Sequence, residues 1–148
     1  MKKHLFNTLA TLTALSTAFY PVLSYTRTLD PQFACKSNAH TFIAGLINDG
    51  SIDRNPTHVE ANSVNAFRPE QGSDLTAFGF HVHAVFGYEH NDAVFKQGGG
   101  EALAGSLYGA VVSAPTEEVE ARARKAGSDA VVQEVLPLVL TAIVCNKP

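Results

Sequence analysis

Two histidines one residue apart, His81 and His83, have the types and spacing best suited to chemistry in this chain. In an extended strand they project from the same face, so their imidazoles can approach one metal ion. Two ligands do not complete a site. His90 follows with Glu89 and Asp92 beside it, and His58 or His40 could approach in space, so a copper or zinc centre would draw on His81, His83 and His90. The small residues around the pair support a different use. With Ala77, they make Gly79, His81, His83 and Gly87 a low-relief face on which a partner's backbone or a small ligand can lie. Glycines in a strand equally admit a packed helix.

The other chemical motifs are incomplete. Gly98-Gly99-Gly100-Glu101 lacks the lysine and hydroxyl of a phosphate-binding loop, and dinucleotide spacing is absent. Ser106, in Ala104-Gly105-Ser106-Leu107-Tyr108-Gly109, fails the spacing of a nucleophile elbow, because Ala104 stands two positions before it. A small secreted hydrolase is therefore the weaker alternative. Glu117 and Glu118 are explained by a helix dipole. No Cys-x-x-Cys spacing marks a redox centre.

The segment Gly79-Phe80-His81-Val82-His83 resembles the metal-binding strand of copper-zinc superoxide dismutases, which are exported and disulfide-bonded in many bacteria. That resemblance would imply an all-β sandwich with further histidine ligands downstream. The match covers five residues, Ala84-Val85-Phe86 intervenes before Gly87, and no histidine follows His90. Helical segments also disagree with such a sandwich, so the assignment is rejected.

The elements that must position these residues begin after an export leader. Lys2 and Lys3 form a basic n-region, Leu5 to Phe19 is apolar and uncharged, and cleavage is expected after Ala18 or Ser24. Removing 1–24 leaves a single domain at 25–148, with nine basic against 14 acidic residues, a net charge of −5. That balance, with no basic cluster beyond Arg122, Arg124 and Lys125, argues against nucleic acid. The longest later apolar run, Leu136 to Cys145, contains Pro137 and is too short to span a membrane. The only cysteines, Cys35 and Cys145, are expected to form a disulfide in a periplasmic or secreted protein.

Residues 25–34 show no period and read as an extended arm. Ala39, Phe42, Ile43, Leu46 and Ile47 mark one helical face, capped by Ser37 or Asn38. Residues 59–68 read as a short strand, and 75–88 as one long strand with Phe78, Phe80, Val82, Ala84, Phe86 and Tyr88 on one face. Strands follow at 93–96 and 106–113, then a helix from Pro115 and Thr116 to Gly127, and strands at 130–135 and 138–144, the last central. The pattern predicts an α+β domain with a mixed or mostly antiparallel sheet, two helices and one disulfide. Its expected function is binding: a bacterial periplasmic inhibitor, an immunity-type protein or a secreted factor whose partner is another exported or envelope protein. A histidine-dependent copper- or zinc-binding protein is the first alternative, and no cofactor is expected otherwise.

Overall fold

The computed structural model describes residues 16–20 and 25–147, and the leader reading falls largely outside them. The elements are β1 (Tyr25–Thr28), a 3-10 helix (Asp30–Ala34), α1 (Ala39–Asn48), β2 (His58–Val59), β3 (Asn65–Phe67), β4 (Ser73–Ala77), β5 (Phe80–Glu89), β6 (Ser106–Val112), α2 (Thr116–Lys125), β7 (Val131–Leu136) and β8 (Leu140–Lys147). The strands form one sheet ordered β1-β4-β5-β6-β8-β7, with β3 on β5 and β2 on β3 at the margin. β1 and β4 pair in parallel, and the other pairings are antiparallel. The chain is thus an α+β domain with a mixed sheet, two helices and one disulfide.

α1 forms where its apolar period says it should, and Ala39, Phe42, Ile43 and Leu46 are buried. The N–H groups of its first three residues, which no helical carbonyl can reach, find side-chain acceptors. Asn38 Oδ1 accepts from Thr41 N–H at 2.8 Å, Ser106 Oγ from Ala39 N–H at 2.8 Å, and Glu89 Oε2 from His40 N–H at 3.0 Å. α2 carries Glu117 and Glu118 in its first turn and Arg122, Arg124 and Lys125 in its last, the polarity that its dipole favours. Val119 and Ala123 anchor it to the core that α1 shares. Because β6 and β7 both run antiparallel to the intervening β8, they are parallel to each other, and β6-α2-β7 is a crossover around β8.

The segment read as one strand over 75–88 is instead a hairpin. Ala77 pairs with Phe80 across a two-residue turn in which Phe78 and Gly79 both have positive φ, 50° and 81°. Such a turn normally uses Asn-Gly, since a bulky residue in this region is strained. Three contacts hold Phe78 there. Its N–H donates to Asp30 Oδ1 at 2.6 Å, its carbonyl accepts from Arg122 Nη1 at 3.1 Å, and its ring is buried beside Phe33. Arg122 also lies over the Phe80 ring, 4.2 Å from the centroid.

A bulge then changes the phase of β5. Val82 pairs with Val112 and Ala84 with Val111, so an extra residue, His83, enters the ladder. Beyond it Val85 and Gly87 turn to the helix side that Val82 faces, whereas the sequence pattern puts Ala84 and Phe86 on one face with Val82. Three further expectations are corrected. Part of the arm at 25–34 is β1, paired in parallel with β4, followed by the 3-10 helix. Residues 59–68 split between β2 and β3. No strand forms at 93–96, because Asp92 Oδ1 accepts from Val94 N–H and Lys96 is tied through its N–H and carbonyl to the side chain of buried Asn65.

The disulfide joins Cys35 to Cys145 across a separation of 110 residues, with the Cα atoms 5.2 Å apart. Register explains the meeting. Tyr108 on β6 is the partner of Cys145 on β8, and its hydroxyl donates to the Gln32 carbonyl at 2.8 Å, drawing the 3-10 helix against the end of β8.

Candidate binding face of the sheet

Of the residues singled out for binding, His81 and His83 are exposed and share a face, while Gly79 and Gly87 do not join them. A Cβ on Gly87 would meet Ile43 Cγ1 at 3.1 Å and Phe95 Cε1 at 3.4 Å, so this glycine admits α1 on the helix side. Gly79 belongs to the turn, and a Cβ there would come within 2.8 Å of Arg122 Nη1. His81 and His83 border an open groove of about 570 Å³ beside Arg68, Glu70 and Ser73, and His81 Nδ1 lies 3.7 Å from Asp74 Oδ1.

The trio His81, His83 and His90 does not converge. At about 3.3 Å per residue along an extended strand, His90 stands roughly 20 Å from His83. It lines a different hollow, with Asn38, Glu89, Ser106 and Lys147. Among the described residues no three His, Cys, Asp or Glu side chains are grouped to hold an ion. His40 is engaged with Asp92, Nδ1 to Oδ2 at 2.7 Å, and His58 Nε2 lies 3.1 Å from Glu60 Oε1.

Ser106 and Tyr108 have structural duties. The Ser106 hydroxyl is buried and satisfies the end of α1. Burial raises the pKa of the Tyr108 phenol above its ordinary value, partly offset by a backbone contact at Ser37, and the neutral phenol donates to the Gln32 carbonyl.

The feature that the sequence pattern conceals is the sheet face turned away from the helices. Register places Phe86, Gly109, Val144 and Val131 in one row across β5, β6, β8 and β7, and Ala84, Val111, Ala142 and Gln133 in the next. Phe86 lies over Gly109, whose absent side chain makes room for its ring: a Cβ there would collide with that ring and with the Ile143 carbonyl. The result is a trough of about 420 Å³ with Phe86, Leu107, Val131, Ala142 and Val144 in it, joined by Val64 and Leu103. Glu60, Asn62, Gln133 and Asn146 supply its polar groups. One signal for it was present in the sequence, because β8 is apolar at successive positions rather than alternating.

The exposed apolar surface continues along β7 into its hairpin. Val131, Val135, Leu136, Leu138 and Val139 are all exposed, Leu138 by 80%. Leu138 occupies a left-handed position, φ 62°, after Pro137, and the turn closes with Val139 N–H donating to the Leu136 carbonyl at 3.1 Å. Glycine or asparagine usually takes that position.

In comparison with known proteins, the chain matches no family model, no curated protein and no solved structure.

Proposed function

We propose that this protein is a small exported binding domain whose outer sheet face receives an uncharged, apolar segment of another exported or envelope protein, as a periplasmic inhibitor, an immunity-type protein or a secreted factor would. The observation that supports it is the row Phe86-Gly109-Val144-Val131 with its surrounding trough. The uncovered face of an antiparallel sheet normally alternates to polar side chains. Here it is apolar at its centre and polar where Glu60, Asn62, Gln133 and Asn146 contribute, resembling the core and rim of a protein interface. Export is supported by the Cys35–Cys145 bridge, which suits an oxidising compartment, and no helix among the described residues is long and apolar enough to cross a membrane.

The test is Leu107→Lys, at a half-buried position of the trough. Lysine there is expected to keep the fold and to weaken capture of the partner from the native envelope fraction about tenfold or more, since 1.4 kcal/mol suffices for that factor. Glu118→Lys, on an exposed position of α2, is expected to capture like wild type. Wild-type capture by Leu107→Lys in a folded protein would remove the outer face from the account.

A further inference from the structure

β7 ends the sheet, and its outer edge has no neighbouring strand among the described residues. An edge of this kind presents main-chain N–H and C=O groups to any strand that reaches it, and sheet proteins commonly guard it with lysine, proline or a bulge. Val131-Val132-Gln133-Glu134-Val135-Leu136 carries one charge, and its bulge lies toward its far end, between Glu134 and Leu136. Val131, Val135 and Leu136 are 51%, 53% and 49% exposed. We propose that β7 pairs antiparallel with β7 of a second copy of this chain, about a two-fold axis at Gln133.

Three features select a second copy. The first is register. Symmetric antiparallel pairing sets one residue opposite itself, and with Gln133 at the centre two neutral amides meet, while Val131 opposes Val135 of the second copy. With Glu134 at the centre two carboxylates would face each other, so the Gln133 register is preferred.

The second is charge. Short connections, 113–115 and 126–130, join α2 to β6 and β7, so the helix runs antiparallel to both strands and, across the axis, antiparallel to its own copy. On the flank turned to the copy Glu117 precedes Arg124, so Glu117 of one helix meets Arg124 of the other, while Glu120 lies 3.7 Å from Arg124 of its own helix. Arg122 reaches the other way, toward Phe80, and helical spacing puts Glu117, Glu120 and Arg124 on the opposite flank.

The third is distance. α2 packs on β7 and β8. With strands about 4.8 Å apart, a helix seated between them lies about 5 Å from the axis, so two such helices stand about 10 Å apart, near the spacing at which helices pack. The pairing uses the edge rather than the outer face, and continues that face across both copies. It stands independently of which protein the trough receives.

Gln133→Cys tests the register directly, because residues directly opposite in an antiparallel pair have Cα atoms about 4.5–5.5 Å apart, a span that a disulfide bridges. Exported Gln133→Cys protein is expected to form a covalent dimer on oxidation, and Thr26→Cys on the opposite edge strand β1 to remain unlinked. Wild-type protein is expected to sediment at twice the monomer mass, and Val131→Lys combined with Val135→Lys at the monomer mass with an unchanged circular dichroism spectrum. A wild-type monomer at the highest soluble concentration, or a Gln133→Cys protein that stays unlinked, would overturn the proposal. So would a β7 edge that pairs only with a different protein.

Discussion

Replacing Cys35 and Cys145 together by Ala is expected to lower the unfolding free energy by about 4–5 kcal/mol. The bridge closes a separation of 110 residues, nearly the whole described domain, and the chain-entropy cost of releasing so long a loop is of this size. Domains of this class are stable by about 5–15 kcal/mol, so the loss is a large part of the total. The consequence is local as well. The bridge, with the Tyr108 hydroxyl on the Gln32 carbonyl, fastens the 3-10 helix to the end of β8. Urea unfolding of the oxidised protein and the double variant would show the midpoint falling sharply. Coincident unfolding curves would show that the bridge leaves stability unaffected.

Phe33→Ala is expected to cost about 3–5 kcal/mol, the range for removing a fully buried aromatic ring. Phe33 is 0% exposed and packs against Phe42 and Phe78, with ring centroids 6.2 and 5.9 Å away. Its carbonyl also accepts from the buried Ser128 hydroxyl at 2.6 Å. The cavity would open beneath the strained Phe78 turn, removing one of the three contacts that hold it. Chemical denaturation of the variant checks the magnitude, and a loss below about 1 kcal/mol would contradict the placement of Phe33 at the core's centre.

Phe33 also shows why part of this fold is hidden in the sequence. It sits among Asp30, Pro31 and Gln32, where no period announces burial, and what buries it is the approach of α1 and the β4–β5 turn. The turn itself is illegible for a related reason. Phe78-Gly79 lacks the usual turn residue, and the groups that stabilise it, Asp30 and Arg122, lie 48 and 44 positions away. By contrast, α1 and α2 are legible because their apolar spacing and their caps or end charges are local. The two cysteines are legible because a chain with only two thiols leaves one pairing.

The outer sheet face is less legible in the sequence than the fold, and β5 explains the difference. His81 and His83 alternate with Phe80 and Val82 as a period of two requires, and both are exposed. The bulge at His83 then inverts the pattern, moving Phe86 to the outer face and Gly87 to the inner one. No local signal marks that inversion, since His83-Ala84 is unremarkable in a regular strand. The apolar row from Phe86 to Val131 becomes visible only when four strands are aligned.

Site-specific photo-crosslinking in the native cell probes the outer sheet face itself. A photoreactive residue at Leu107, on the outer face, is expected to give a discrete adduct with a second envelope or secreted protein, whereas one at exposed Asn48 on α1 is expected to give none. Adducts from Asn48 without any from Leu107 would contradict the assignment of the outer sheet face as the binding surface.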